Sequence, residues 1–321
     1  MPKTTVALFG ANGTLGNRIL HALIAYPELP FNLVAFIRPE SSLKIDHWVS
    51  NLTVYGVDLT LIDADSLSSM LAGVDVVVSA VGSAVLPYQH VIQDAAAKAD
   101  VRRFYPSSFG MPQVVRFEAQ DVSMINSTWD LKMKTLEAAL KHPAICEGRM
   151  TYTVINNSEC FDAAGETIFC PWLDTQVEEY NMIAVGDSTA KMDYISDLDV
   201  AAYLVESIQH PEVSENQILF FQGYITNFEE VAQLLRKHSG KTVTINLLDW
   251  QSAERIIRNP NSASSSFPGK SKFSLDFIIA LRHVQGQGRL WMPKGQTHNH
   301  LFPNIKIHTV DERFSELLKS S

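Results

Sequence analysis

Short apolar segments rich in β-branched residues alternate with segments of helical spacing through the first half of the chain. The apolar runs predict six strands, at 4–8, 31–37, 52–55, 74–81, 101–106 and 151–155. The intervening patterns predict helices at 19–24, 65–71, 88–99 and 127–141, the last capped by Ser127 or Thr128. The run at 74–81 is almost unbroken, which is typical of a central parallel strand. This alternation predicts an α/β fold with a Rossmann-type doubly wound parallel sheet.

The alternation becomes less regular beyond residue 158. The Asn-, Pro- and Ser-rich stretch at 259–269 predicts a surface loop or a mobile lid. Ligands of open α/β sheets bind outside the carboxyl ends of the strands, so the second half is expected to form the wall of a substrate pocket there. We therefore predict a dinucleotide-binding Rossmann domain at 1–158. A smaller α/β substrate-binding region follows at 159–321, of which about 183–225 returns to the Rossmann sheet.

A glycine-rich turn joins the first strand to the first helix. Gly10 permits the tight turn, Gly13 lets the backbone approach a pyrophosphate, and Gly16 lets the helix pack closely on the strand. Free N–H groups at the start of that helix favour an anion. A purely structural turn is the alternative, but the placement between strand and helix favours a dinucleotide site. The turn residues assigned to the cofactor are Gly10, Asn12, Gly13, Thr14, Leu15 and Gly16.

The end of the second strand indicates which dinucleotide binds. An acidic residue there usually binds the ribose hydroxyls of NAD, whereas an arginine suits the 2′-phosphate of NADP. This strand ends in Arg38, and Ser41 and Lys44 could add donors. The alternative is a solvated Arg38 paired with Glu40. The pattern favours NADPH, with Arg38 and Lys44 as cofactor-binding residues.

Composition and charge narrow the class of protein. The chain has 321 residues, of which 46% are hydrophobic and 19% charged, so it carries no signature of disorder. A net charge of −9 argues against nucleic acid and anionic membranes as partners. No apolar run approaches the ~20 residues of a membrane span, and no signal peptide is evident. The 3 cysteines show no metal-ligand spacing, which predicts no metal site and a cytoplasmic location.

The Tyr-x-x-x-Lys pair of short-chain dehydrogenases is absent. None of the 9 tyrosines has a lysine at the fourth following position. Lys132 and Lys134 lie in the predicted helix after the fifth strand instead. Two lysines two positions apart face different sides of a helix, so at most one points into a site. From spacing alone, each is equally well explained as a solvated surface residue.

Several segments together resemble the isoflavone reductase-like branch of the NmrA-type atypical short-chain dehydrogenases. The run RFYPSSFG at 103–110 resembles the family pattern RFxPSEFG, and VVVSAVGS at 76–83 resembles DVVISTVGS. The segment FPNIKIHTVDE at 302–312 is also similar to the family. This branch includes phenylcoumaran benzylic ether reductases and pinoresinol–lariciresinol reductases, and the resemblance extends over essentially the whole chain.

The resemblance implies an NADPH-dependent reductase of a small, aromatic or conjugated secondary metabolite. Separately from the resemblance, we expect a monomer or homodimer with a small-molecule substrate. The resemblance assigns Lys132, the first lysine of the family's V-K-A-K pair, as the general acid/base that moves a proton on the substrate oxygen. Hydride would pass from NADPH to an electrophilic carbon. A ketoreductase, a cofactor-dependent isomerase and a non-catalytic NADP(H)-sensing regulator remain alternatives. The further cofactor contacts that it implies are Val81, Gly82, Ser107, Phe109, Lys132, Asn157 and Phe161.

Some positions depart from the family pattern or are ambiguous. Ser108 replaces the family's glutamate, which removes a charge near the cofactor, and Glu159 takes the place of an amide. Glu159 is either a substrate contact or a surface residue, and we expect the surface. His298 and His300 predict a polar loop before a final strand rather than metal ligands. The aromatic residues that could line a pocket or fill the core are Trp172, Trp250, Trp291, Phe267, Phe273 and Phe277.

Replacing Arg38 tests the cofactor preference. Arg38→Ala should raise the KM for NADPH far more than the KM for NADH, because only NADPH carries the 2′-phosphate that the guanidinium would bind. Steady-state kinetics with both cofactors measures this difference. Equal effects on the two KM values would contradict the assignment.

Overall fold

The computed structural model describes residues 3–111, 127–263, 269–293 and 295–318. The strands of these ranges are β1 Thr4–Phe9, β2 Phe31–Ile37, β3 Leu52–Gly56, β4 Val76–Ser79, β5 Arg103–Tyr105, β6 Thr151–Asn157, β7 Glu159–Cys160, β8 Glu179–Val185, β9 Met192–Ile195, β10 Gln217–Phe221, β11 Tyr224–Thr226 and β12 Thr242–Leu248. The helices are α1 Thr14–Ala25, α2 Ala64–Met70, α3 Gln89–Lys98, α4 Ser127–Leu140, α5 Pro143–Cys146, α6 Asp197–Gln209, α7 Pro211–Ser214, α8 Phe228–Ser239, α9 Trp250–Arg258, α10 Leu275–Gly286 and α11 Val310–Leu317.

A parallel sheet of 7 strands, in the order β10-β6-β5-β4-β1-β2-β3, forms the centre of the fold. Every neighbouring pair in it is parallel. All six strands predicted for the first half form and lie in this sheet, so the predicted α/β class is confirmed. β4 is buried along its whole length, as its unbroken apolar run predicted.

The order of the strands reverses at β1. The chain runs from β1 to β2 and β3 on one side and then crosses to β4 on the other. The carboxyl ends of β1 and β4 therefore border the crevice in which open α/β sheets bind ligands. Gly10 follows β1 at φ +79°, and a Cβ there would lie 2.5 Å from the carbonyl oxygen of Ala80, just after β4. Only glycine allows the two strand ends to approach this closely.

The second half of the chain adds to the large sheet and builds two smaller ones. β10 pairs with β6, and α6 packs against α1. β7, β9 and β11 form a 3-stranded sheet, and β8 pairs with β12. An apolar cluster that includes Trp172, Tyr194 and Phe314 fills the space beneath these strands. The domain boundary at residue 158 stays a prediction.

The final strand predicted after the His298–His300 loop is wrong for the part of the chain that the structure describes. A 3-10 turn, Asn299–Leu301, follows His298 instead, and α11 comes next. His298 exchanges hydrogen bonds with the backbone of Phe220 at the outer edge of β10. Asn299 Oδ1 then accepts from the Gln222 amide at 3.1 Å. The His298 amide and the side chains of His298 and Asn299 thus make hydrogen bonds that another strand would have made.

None of the helices in the described ranges has the length and apolar character needed to cross a membrane. Within the predicted 259–269 loop, Pro260–Ser262 forms a 3-10 turn. Residues 264–268, including Phe267, lie outside the described residues.

Substituting two glycines near the crevice should have very different effects on stability. A Cβ at Gly16 would lie 2.1 Å from the Gly10 carbonyl oxygen, whereas a Cβ at Gly82 meets nothing within 4 Å. Gly16→Ala should lower the free energy of unfolding by about 2–3 kcal/mol, because the helix must move off the strand. Gly82→Ala, the matched control, should unfold like the unaltered protein in urea titrations. Equal stability of the two variants would contradict this packing.

Candidate cofactor and catalytic site

The N-terminus of α1 has the features of a phosphate-binding site. Gly13 is its N-cap and provides no side-chain hydrogen bond. The amides of Thr14, Leu15 and Gly16 have no protein acceptor among the described residues. A Cβ at Gly13 would lie 3.0 Å from the Gly10 carbonyl oxygen, so the turn is as tight as its glycines predicted. Three free amides at the positive end of a helix fit the phosphates of a dinucleotide.

Two asparagines attach the loop after β2 to this turn. Asn12 Nδ2 donates to the Ser42 carbonyl at 2.9 Å, and the Lys44 amide donates to Asn12 Oδ1 at 3.0 Å. Asn17 Nδ2 also donates to the Lys44 carbonyl, at 2.7 Å. The contacts of Asn12 place the loop that bears Arg38 beside the glycine turn. Asn17 was missed by sequence reasoning, because nothing in its surroundings marks a partner 27 residues away.

Arg38 is exposed, as is Glu40. The alternative in which the two form an ion pair is not observed among the described residues. Lys44 is also exposed and borders the same turn. The two cations are therefore accessible to a phosphate group that approaches along the carboxyl end of β2.

The loops after β4 and β5 are joined by hydrogen bonds. Ser107 Oγ donates to the Val81 carbonyl at 2.9 Å. The Ser107 amide donates to Oε1 of the buried Gln89 at 2.7 Å. Gly82 leaves open space next to this junction. Gln89 is a second positioning residue that the sequence did not reveal.

Asn157 fixes the loop after β5 against the end of β6. Its Oδ1 accepts from the Gly110 amide at 2.9 Å, and its own amide donates to the Gly110 carbonyl at 2.9 Å. Ser108, which replaces the family glutamate, is buried and donates through Oγ to Asn156 at 3.1 Å. The loop that carries Phe109 is thus held on both sides.

Lys132 points from α4 at this loop. Its Nζ donates to the Phe109 carbonyl at 2.5 Å and lies 3.6 Å from where a Cβ on Gly110 would be. Burial lowers the pKa of Lys132 to about 8. Lys134 on the same helix is exposed. Spacing could not choose between the two lysines, and the structure brings only Lys132 to the strand ends.

An aromatic cluster lies on the same side of α4 as Lys132. Trp129 precedes Lys132 by three residues, and its ring centroid is 5.7 Å from that of Phe277. Phe273 stacks on Phe277 at 4.9 Å and contacts Phe169 at 5.7 Å. Phe273 keeps 38% of its surface exposed. We call these four residues, Trp129, Phe169, Phe273 and Phe277, the aromatic wall.

The other predicted aromatic positions lie elsewhere. Phe161 is fully buried, contacts Tyr194 at 5.9 Å and accepts a hydrogen bond from Trp172. The structure gives its ring no exposed face, so its contact with the cofactor stays a prediction. Trp250 packs on His283, and Trp291 lies under the Lys191 ammonium at 5.1 Å.

The expectation that Glu159 lies on the surface is wrong. Arg282 Nη1 donates to Glu159 Oε1 at 3.1 Å, and Gln285 Nε2 donates to the same carboxylate. The Glu159 side chain is only 12% exposed, and Arg282 also donates to the Phe169 carbonyl at 2.9 Å. Arg282 and Gln285 lie one turn apart in α10, and both are buried. That pair of polar residues was the signal in the sequence for a buried acidic partner.

Cysteine and acidic side chains show no metal-binding arrangement in the described ranges. Burial raises the thiol pKa of both Cys160 and Cys170 well above its usual range. Both thiols therefore stay protonated at neutral pH, as expected of cysteines that only pack in the interior.

Comparison with known proteins identifies the family. Residues 2–276 match the model of the NmrA-like family. The chain belongs to the NmrA-like family. This confirms the resemblance found in the sequence.

Relatives of this NmrA-like chain include plant reductases. It is 25% identical to "Phenylcoumaran benzylic ether reductase IRL1" of Ginkgo biloba, over 99% of this chain and 100% of that protein. It is 26% identical to "Eugenol synthase 1" of Petunia hybrida, over 98% of each chain. The leucoanthocyanidin reductase–NADPH complex from Vitis vinifera has the same fold, with a TM-score of 0.72, 15% identity and coverage of 98% of this chain and 99% of that one.

The Glu159–Arg282 pair of this NmrA-like protein should be strongly coupled. Arg282→Met should lower the free energy of unfolding by about 3 kcal/mol or more, because it leaves a buried carboxylate without its cation. The double variant Glu159→Gln/Arg282→Met should lose less than Arg282→Met alone, since no charge is then buried. Urea unfolding of the two single variants and the double variant measures the coupling. Additive losses would show that the pair acts as two independent residues.

Proposed function

We propose that this chain is an NADPH-dependent reductase of a small aromatic or conjugated metabolite, with Lys132 as the general acid/base. The observation that carries the proposal is the placement of Lys132. Its Nζ donates a hydrogen bond to the Phe109 carbonyl, in the loop that Asn157 anchors. Trp129 of the aromatic wall lies one helical turn away on the same helix. A cytoplasmic location and a monomeric or homodimeric state stay predictions from the sequence.

The cofactor assignment draws on the turn and the loop after β2. The free amides of Thr14, Leu15 and Gly16 would bind the pyrophosphate, and Arg38 with Lys44 would bind the 2′-phosphate. Known structures of this fold hold NADPH, the leucoanthocyanidin reductase complex among them, which supports the choice. NADPH supplies a hydride for an electrophilic carbon. The chain's own part is to orient the substrate, exclude water and move a proton.

Lys132 is suited to that proton transfer. Because its pKa is about 8, roughly a tenth of the side chains are neutral at pH 7, far more than for a lysine in water. A neutral amine accepts the proton of a substrate phenol. On a phenolic benzylic ether, the phenolate so formed expels the ether oxygen: the benzylic C–O bond breaks, its electron pair leaves with the oxygen, and the Lys132 ammonium returns a proton to that oxygen. The benzylic carbon of the resulting quinone methide is electrophilic and accepts the hydride.

The aromatic wall supports a flat, apolar substrate. Trp129 lies one helical turn before Lys132, and Phe273 is partly exposed beside it. A phenol-bearing ring stacked there would place its oxygen near the lysine. The relatives' names point to the same class, since one acts on phenylcoumaran benzylic ethers and another makes eugenol.

Three other functions stay as alternatives to this reductase. A ketoreductase would use Lys132 in its protonated form, as an acid. An isomerase would return a product of unchanged mass. A sensor that binds dinucleotide without turnover would have no use for a buried lysine at this position, which counts against it.

Turnover with a substrate panel tests the proposal. Incubation with NADPH and a set of phenolic benzylic ethers and enones should consume NADPH, followed by its absorbance, and give a product two hydrogens heavier. An unchanged product mass would indicate an isomerase. NADPH binding without turnover on any member would favour the sensor.

The role of Lys132 should appear in the pH profile. Lys132→Met should bind NADPH normally but lose turnover by about 10²–10⁴-fold, because the proton transfer lacks its base. In the unaltered enzyme, kcat/KM should rise with pH and level off above about 8, as the ammonium loses its proton. Lys134→Met changes an exposed position on the same helix and is the control. It should leave the turnover rate and the pH profile of kcat/KM unchanged. A rate that falls as pH rises through this range would instead indicate an acid role and a ketoreductase.

A further inference from the structure

We propose that Lys272, in the second half of the chain, is a direct ligand of the NADPH pyrophosphate. Its Nζ donates to Thr14 Oγ1 at 2.8 Å, across 258 residues of sequence. Thr14 is the first residue of α1, whose amides are free. The inference rests on the proposed cofactor and adds a ligand that neither the glycine turn nor Arg38 supplies.

The electrostatics of this contact call for an anion. An ammonium group beside the positive end of a helix is unfavourable by itself, because the helix dipole repels it. Lys272 makes no ion pair with any carboxylate of the described residues; its hydrogen-bond partner is a neutral hydroxyl. A phosphate between Lys272 and the amides of α1 would replace this repulsion with attraction, because its negative charge interacts favourably with the ammonium and with the helix N-terminus.

Two neighbouring charged groups must be considered. Arg18 on α1 and Lys272 both act on Asp197, a buried carboxyl whose pKa burial raises to about 6. No ion pair joins Lys272 to Asp197 among the described residues, and Asp197 Oδ2 has no hydrogen-bond partner there. Asp197 accounts for some attraction of a cation to this region, but not for the contact with Thr14.

The backbone of Lys272 is held in place although its side chain is exposed. The buried carboxylate of Glu166 accepts from Ser271 Oγ at 2.5 Å and from the Lys272 amide at 3.3 Å. The Lys270 amide donates to Thr167 Oγ1 at 2.7 Å. A lysine on an anchored segment loses less conformational freedom when it binds an anion than one on a free loop.

This segment also connects the two binding sites. Phe273 follows Lys272 directly and belongs to the aromatic wall. Lys272 therefore joins the phosphate end of the cofactor to the surface on which we place the substrate ring.

Binding titrations with variants and a cofactor fragment test this inference. Lys272→Ala should weaken NADPH binding about tenfold, as expected for the loss of one charge-assisted hydrogen bond at an exposed site. Lys272→Arg should restore most of the affinity. Lys270→Ala is the matched control in the same segment and should bind NADPH like the unaltered chain. Adenosine 2′-monophosphate, which lacks the pyrophosphate, should bind equally well to the Lys272→Ala and unaltered proteins, whereas Arg38→Ala should weaken it.

The outcomes separate the possible failures. Unchanged NADPH affinity in Lys272→Ala would overturn the inference. If Lys272→Ala weakened the binding of adenosine 2′-monophosphate as much as that of NADPH, the inference would also fail, because the lost interaction would then lie away from the pyrophosphate. Either result leaves the proposed reductase standing. Absence of NADPH binding by the unaltered chain would overturn both the inference and the cofactor assignment.

Discussion

The close approach of backbone to backbone at the β1–β4 crevice is the constraint on which the rest of the site depends. Gly10 lies against Ala80, and Gly16 lies against Gly10, with no room for a Cβ at either glycine. This contact brings α1 directly over the strand ends and leaves its first amides pointing into the crevice. Val81, Ser107 and Asn157 lie at the same edge of the large sheet, where β4, β5 and β6 end, because the 7 strands of that sheet run parallel.

Two hydrogen-bond networks meet where β6 ends. Asn157 belongs to the first, which holds Gly110 and thereby the carbonyl that Lys132 contacts. Glu159, two residues later, belongs to the second, in which Arg282 and Gln285 join the site to α10. α10 also carries Phe277 of the aromatic wall. One short turn of chain therefore couples the position of Lys132 to the surface proposed for the substrate.

Sequence patterns within a few residues correctly predicted the elements whose structure depends on neighbouring residues. The strands of the first half follow from apolar runs, and the phosphate-binding turn follows from glycine spacing, because backbone sterics act within a few residues. The choice of Lys132 over Lys134 needed the family resemblance, since a helix with polar residues on several sides does not reveal which side faces a site. Glu159 was assigned to the surface because its partner Arg282 lies 123 residues further on. Contacts over such distances, like that of Lys272 with Thr14, depend on how the second half folds over the first.

Hydrogen–deuterium exchange with and without NADPH tests the central claim most directly, because it reports every segment of the site at once. We expect the cofactor to slow amide exchange together at 10–17, 38–44, 81–82 and 107–110, the four segments that the parallel strand ends bring to one edge. Protection confined to the second half of the chain, or no protection at saturating NADPH, would contradict the account.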